Sequence, residues 1–191
     1  IKRPIDETQR QRLLHNTLQE AGRMNILCNN LLLSSQLESG RHLLSPEPIE
    51  LEELLKDCIK QEMMRHPDAN IILQETTHTP ISADRFLIQI AISNLLSNAV
   101  KYSPRQSPIH IELDQDEEEG TLSVADLGAG IADEEKKNIF KKYYRVGNDA
   151  TKKSKGTGLG LYLVKRIMKA HKGDVFIRDN KPHGSVFVMR Y

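Results

Sequence analysis

Lys155 to Ile167 reads KGTGLGLYLVKRI, with glycines at 156, 158 and 160 followed by Leu161, Val164, Ile167 and Met168 at helical spacing. A glycine in an ordered element costs roughly 1 kcal/mol relative to alanine, so a cluster at the mouth of a helix needs a reason. Close approach of a ligand to the backbone is one, and the unsatisfied N–H groups of a helix N-terminus favour an anion, typically phosphate. A flexible loop that happens to precede a helix is the other. Spelling excludes two familiar phosphate loops. The dinucleotide fingerprint needs a glycine where Leu161 stands, and the Gly-Lys-Ser/Thr of a P-loop occurs nowhere in the chain.

Around this stretch the pattern is regular. Two strands follow, GDVFIRD from Gly173 and GSVFVMRY from Gly184. Before it lie an irregular polar stretch from Tyr144 to Lys155, a short helix from Glu134 to Phe140 and a glycine-rich turn. Further upstream, IHIELDQDEEEGTLSVAD is a strand, an acidic turn closed by Gly120 and a second strand. A helix from Asp84 to about Tyr102, a turn at Thr79-Pro80 and a strand near Asn70 to Glu75 precede these. A helix carrying Leu51, Leu54, Leu55, Cys58 and Ile59 follows an extended piece through Pro46 and Pro48. Residues 45–191 therefore predict an α+β domain, a two-layer α/β sandwich with helices on one face of a mainly antiparallel sheet.

Residues 1–44 are different. Thr8 to about Ser39 predicts one long helix with a stripe of Leu14, Leu18, Ala21, Cys28 and Leu32, widened by Leu13, Met24, Leu27 and Leu31. A single helix cannot bury so broad a face alone, so it is expected in a helical bundle whose partner helix lies elsewhere. A core helix lying on the following domain is the alternative.

Composition narrows the classes. With 191 residues, 38% hydrophobic and 28% charged, the chain accommodates one domain plus an appendage. A net charge of +1 argues against a general nucleic-acid binder, so the local runs KKYYR and TKKSK need a local explanation. Cys28 and Cys58, with no companion at ligand spacing, exclude a disulfide framework or a zinc site and fit a reducing compartment. No apolar run reaches membrane-spanning length and no signal pattern is present. The chain opens on IKRPIDE without Met and is expected to be part of a longer protein.

Three further stretches place polar groups in apolar settings. In ISNLLSNAVKYSP, Asn94 and Asn98 stand at i and i+4, so both amides leave one face of a helix. Amide oxygens can bind Mg²⁺ together with phosphate oxygens; a plain polar helix face is the alternative. In VADLGAGI, Asp126 ends a strand before Gly128 and Gly130, where a carboxylate can accept from an exocyclic amine and glycines let a flat base approach. Asp-x-Gly also makes ordinary turns. IFKKYYRVG is an aromatic and basic segment leading into the polar stretch, a hinge and movable lid with Arg145 available to phosphate.

In this order and spacing the stretches resemble the N-box, first glycine box, F-box and second glycine box of the Bergerat-fold ATPases, most closely the catalytic domain of bacterial sensor histidine kinases. GSVFV resembles the last glycine box, and QLESGRHLLSPEPIELEELL resembles the junction between dimerisation helices and ATP-binding domain. The resemblance implies ATP and Mg²⁺ as ligands. It makes Asn98 the metal ligand, Asn94 a support for phosphates or metal shell, Lys101 a phosphate contact and Tyr102 a neighbour of the adenine. Asp126 is expected to read the adenine amine, with Gly128, Gly130 and Ser185 shaping that end. Tyr144 and Arg145 open the lid, Arg145 reaching the γ-phosphate, and Lys152, Lys153 and Lys155 are basic candidates within it. Gly156, Thr157, Gly158, Leu159 and Gly160 form the phosphate cradle.

ATP-hydrolysing relatives carry a water-activating Glu four residues before the metal-binding Asn, where this chain has Asn94. An amide cannot act as a base, so the resemblance implies transfer to a protein nucleophile and slow intrinsic hydrolysis, with Asn94, Lys101 and Arg145 as the catalytic set. His15, in HNTLQE, lacks the acid and proline of the family's phosphoacceptor motif, so the acceptor His is expected upstream of Ile1. The implied partners are a response regulator receiver domain and, in the full-length protein, a second copy of the chain; nucleic acid is not among them. A cytoplasmic domain of an inner or plasma-membrane sensor is expected, with membrane attachment only through other parts of the parent protein.

Overall fold

The helix α3 (Arg85–Tyr102) buries Leu87, Ile88, Ala91, Ile92, Leu95, Leu96 and Ala99 in one broad stripe, while Arg85, Phe86 and Ser97 are exposed. Such a stripe has to be covered by neighbouring elements. The helix lies between α2 (Leu51–Arg65) and α5 (Gly160–Ala170), and the three form one layer over a sheet. This is a computed structural model, and it describes residues 6–74, 79–115, 119–147 and 156–191.

The sheet has five strands: β2 (Asn70–Gln74), β4 (Pro108–Gln115), β5 (Gly120–Ala125), β6 (Asp174–Asp179) and β7 (Ser185–Arg190), in the order β2-β4-β5-β7-β6. Strand β4 shows why one face meets the helices. Ile109, Ile111 and Leu113 are buried while His110, Glu112 and Asp114 alternate outward. All pairings are antiparallel except β2 with β4, so the sheet is mixed. The exception has a cause, because α3 forms the crossover between these two strands and a helical crossover permits parallel pairing.

Two local expectations are revised. The segment Ile81–Ala83 is a strand, β3, paired antiparallel with β1 (Glu47–Ile49) in a ribbon outside the main sheet. The short helix α4 covers only Asp133–Lys136. Asn138 then turns the chain, its Nδ2 donating to Glu134 O at 3.1 Å and its N–H to Glu135 O at 2.8 Å, a competing local bond that tightens the coil.

The long helix α1 (Glu7–Glu38) takes, over its last turns, one of the two arrangements considered for it, that of a helix lying on the following domain. Its final turns lie on the domain: Leu33 and Ser34 are buried, and Glu38 accepts from Lys142 Nζ at 2.8 Å, Tyr162 OH at 2.7 Å and Ser34 Oγ at 2.9 Å. Those bonds, Lys142 foremost, hold the Glu38 carboxyl down to about 2. Arg166 donates to Leu37 O at 3.0 Å alongside. Leu13, Leu14, Leu18 and Met24, earlier in the stripe, are exposed.

Asp84 joins the linker to the core. As N-cap of α3 it accepts from Leu87 N–H at 3.1 Å, and its other oxygen accepts from Ser45 N–H at 3.2 Å with His42 3.7 Å away. Its own N–H donates to His171 Nε2 at 3.0 Å, and His171 Nδ1 sits 2.8 Å from Ile167 O, so the ring bridges the start of α3 and the end of α5. Burial pushes the Asp84 carboxyl up, but the Leu87 and Ser45 amides and His42 outweigh it and the net direction is down. A depressed carboxylate stabilises the fold above its unfolded pKa and loses that contribution as pH falls through the folded value. Asp84→Ala is expected to lower the unfolding free energy by about 1–2 kcal/mol near neutral pH, the usual range for a lost N-cap. Urea titrations of both chains should converge as the solution is acidified below the ordinary aspartate range.

Candidate functional site

Three segments meet above one end of the sheet: the C-terminal half of α3, the loop leaving β5, and the glycine loop that enters α5. Close approaches at glycines define the meeting. At Gly160, the first residue of α5, a Cβ would stand 2.6 Å from Asn94 Oδ1. At Gly156 it would stand 2.7 Å from Lys101 Nζ, and at Gly128 it would stand 2.8 Å from Tyr102 O and from Asp126 Oδ1. The sequence-predicted groups Asn94, Lys101, Tyr102, Asp126 and the glycines are thus brought together by packing that side chains would block.

Asn94 anchors this arrangement. Its Nδ2 donates to Ile90 O at 2.8 Å, so its oxygen faces the start of α5. Asn98 follows one turn later on the same face and is half-buried. Lys101 Nζ reaches over its neighbour, 3.2 Å from Tyr102 OH and 4.8 Å from the ring centre, leaving Tyr102 itself exposed.

The loop from Gly156 to Leu159 is shaped by its own groups. Thr157 Oγ1 accepts from Leu159 N–H at 3.2 Å, and Leu159 is fully buried, so its side chain pins the loop to the core. Gly158 has φ +70° and its carbonyl accepts from Tyr143 N–H at 3.0 Å. A Cβ there would lie 2.6 Å from the Tyr143 carbonyl carbon. The base of the aromatic segment therefore rests on the glycine loop through backbone, with Tyr143 itself at φ +64°.

Tyr144, expected beside the nucleotide, turns its hydroxyl to Glu135 on α4. The structure thus gives it the task of fixing the aromatic segment to the short helix. Arg145 is half-buried where that segment ends. Lys152, Lys153 and Lys155 lie outside the described residues. His15 is exposed on α1.

At the other end, Asp126 is 4% exposed. Its Oδ1 accepts from Gly128 N–H at 2.7 Å, and its own N–H donates to Ser185 O at 2.8 Å, which seats the buried Ser185 beside it. Burial pushes the Asp126 carboxyl up, opposed by backbone hydrogen bonds from Gly128 and Ser185. Gly130 (φ +76°) passes over Gly184 O at a distance a Cβ would reach at 3.4 Å. Gly184, the first residue of the last glycine box, and Asn180, which the sequence reading did not single out, touch Asp126 from the β6–β7 turn. The signal of Asn180 was only that of a turn.

The two ends have complementary chemistry. One offers a buried carboxylate beside glycine backbone, suited to a flat heterocycle with a donor. The other offers amide oxygens, a lysine and a glycine loop opening a helix, suited to phosphates and a hard cation. A nucleoside triphosphate fits this donor set, and the glycines at 156, 158 and 160 let the loop run close against Lys101, the Tyr143 backbone and Asn94.

Residues 83–191, more than half of the chain, match the family model described as histidine kinase-, DNA gyrase B-, and HSP90-like ATPase. The chain belongs to this family. Among its relatives, the sensor protein CiaH of Streptococcus pneumoniae is 32% identical over 178 residues, 92% of this chain and 39% of that protein. The phosphate regulon sensor protein PhoR of Pseudomonas aeruginosa is 31% identical over 94% of this chain and 41% of its own length. The solved structure of the Acinetobacter baumannii histidine kinase AdeS is 25% identical, with a TM-score of 0.77 over 99% of this chain and 85% of that one. The fold is the histidine kinase-type ATPase fold of sensor kinases, and the chain spans about two fifths of the length of the sensor proteins it matches. No helix among the described residues is long and apolar enough to cross a membrane.

The glycine loop supplies a discriminating test. Gly158→Ala combines a left-handed φ with a backbone clash, whereas Gly160→Ala meets the end of a side chain. Gly158→Ala is expected to cost about 2 kcal/mol or more of stability and Gly160→Ala less, in denaturant titrations. ATP affinity should fall at least about tenfold in Gly158→Ala, for a shift of about 1.4 kcal/mol in binding.

Proposed function

We propose that this chain is the catalytic part of a sensor histidine kinase that passes the γ-phosphoryl group of ATP to a histidine outside the chain, for relay to an aspartate on a response regulator. The observation that carries the reading is the position of Asn94. It stands at the junction of α3 with the first turn of α5, where its Nδ2 donates to Ile90 O and its oxygen lies beside Gly160. A group placed there can orient phosphates but cannot take a proton from water. Phosphoryl transfer needs chiefly positioning and charge stabilisation, and a site without a base near the phosphates favours a protein nucleophile over water.

In this reading Asn98 holds Mg²⁺, with Asn94 beside it, and Lys101 and Arg145 neutralise phosphate charge. Bound Mg²⁺ supplies positive charge that orients the phosphate oxygens and offsets the charge on them. The N–H groups of the loop from Gly156 to Gly160 hold the phosphates, and Thr157 and Leu159 keep that loop in shape. Asp126 accepts from the adenine amine, Gly128 and Gly130 leave room for the ring, and Ser185 and Tyr102 border it. Residues 1–44 are the second helix of a dimerisation hairpin and 45–191 the ATP-binding domain. The exposed apolar stripe of α1 supports pairing with a second copy in the full-length protein. A receiver domain as partner, and a cytoplasmic site of action beneath a membrane-bound sensor region, follow from the likeness to sensor proteins.

Titration with ATP, with and without Mg²⁺, tests the assignment. Asn98→Ala is expected to abolish the Mg²⁺ dependence of binding, and Asp126→Asn to weaken binding at least about tenfold. Unchanged affinity in both would sink the site. Because Asp126 is pushed up by burial, ATP affinity should decline on acidification sooner than an ordinary aspartate would allow, and that inflection should vanish in Asp126→Asn. Mixed with a longer form of the protein containing the hairpin, the chain should place radiolabelled phosphate on histidine faster than it releases inorganic phosphate. The reverse ratio refutes the kinase reading.

A further inference from the structure

The turn from Asn180 to Gly184 joins β6 to β7 as an ordinary hairpin connection, yet several of its groups face the base-side segment. Asn180 Nδ2 donates to Asp126 O at 2.8 Å, while Asn180 N–H donates to Gly184 O at 3.1 Å within the turn. His183 Nδ1 lies 3.2 Å from Gly128 O. Gly184, at φ +116°, admits the Asp126 carbonyl where any Cβ would overlap it. With Asp126 N–H donating to Ser185 O at 2.8 Å, both main-chain groups of Asp126 are held from this one side.

A hairpin asparagine forms a turn equally well with its side chain in solvent. Asn180 is instead half-buried and spans to a residue 54 positions earlier. Asp126 has just left β5, so nothing in the β5 ladder fixes the peptide plane that carries its carbonyl. The Asn180 amide does so, and together with Gly128 N–H, which donates to Oδ1 at 2.7 Å, it sets the direction of the carboxylate. Orientation matters for the choice of base, because adenine presents an exocyclic amine donor where guanine presents a carbonyl acceptor. A carboxylate aimed at that edge attracts the first and repels the second.

We propose that Asn180 is a positioning residue for base selection, acting through the Asp126 carbonyl to aim the carboxylate at an exocyclic amine. This rests on Asp126 being the base-side acceptor. Affinities for ATP and GTP, measured by calorimetry on the parent chain, Asn180→Ala, Asn180→Ser and Asp126→Asn, test it, with thermal melts confirming that each variant is folded. Asn180→Ala should weaken ATP about tenfold and GTP by no more than about twofold, the size expected from one lost hydrogen bond to a buried carbonyl. Asn180→Ser keeps a donor on a shorter arm and should retain part of the preference. A merely structural role would weaken both nucleotides alike, and an unchanged ATP/GTP ratio in Asn180→Ala overturns the proposal. If Asp126→Asn has lost the preference in that same series, Asp126 still reads the base without help from Asn180. If it too is unchanged, the reading of Asp126 has failed as well.

Discussion

The contact on which this molecule depends is the approach of α5 to α3 at Gly160 and Asn94. Glycine at the first helical position lets the helix start directly against an amide side chain, and that amide is itself tied to Ile90 O. The start of α5 thereby lies against the central helix, and its apolar residues Leu163, Val164, Ile167 and Met168 are buried along the rest of the helix.

From this point the site is assembled by backbone. Tyr143 N–H rests on Gly158 O, and Tyr102 O rests against Gly128. Polar side chains then tie the surrounding pieces: Lys136 to Asp179 at 2.7 Å, Tyr144 to Glu135, and Lys165 to Asp174 beneath the Phe140 ring. These pairs lie at or near the surface and contribute modest stability singly. Their value is geometric, because they tie α4 to β6, the aromatic segment to α4 and α5 to β6.

Much of this was legible in the chain. Periodicity located α2, α3, α5 and the five strands because each has a face with an apolar reason to exist, as Ile109, Ile111 and Leu113 show. Spelling singled out Asn94, Asp126 and the glycines, and the structure sets Asn94 against Gly160 and Asp126 against Gly128. What escaped was set by distant partners. The strand Ile81–Ala83 is three residues long and is defined by its pairing with Glu47–Ile49, not by any pattern of its own. The bond of the Tyr144 hydroxyl to Glu135, nine residues earlier, has no local sign either. Asn180 read as turn chemistry, since nothing local announces a bond to Asp126. The parallel pairing of β2 with β4 likewise follows only once α3 is known to be the crossover between them.

The cluster at Glu38 has a mechanical meaning. It couples the end of a helix of 32 residues to Lys142, next to the backbone that rests on the phosphate loop, and to Tyr162 in the first turn of α5. At 1.5 Å per residue such a helix is a rod roughly 48 Å long with its fulcrum beside the phosphate cradle. A tilt of about 5° displaces its far end by about 4 Å while shifting the fulcrum by a small fraction of that. The geometry is that of a lever with its short arm at the glycine loop, trading a large remote excursion for a small, forceful one.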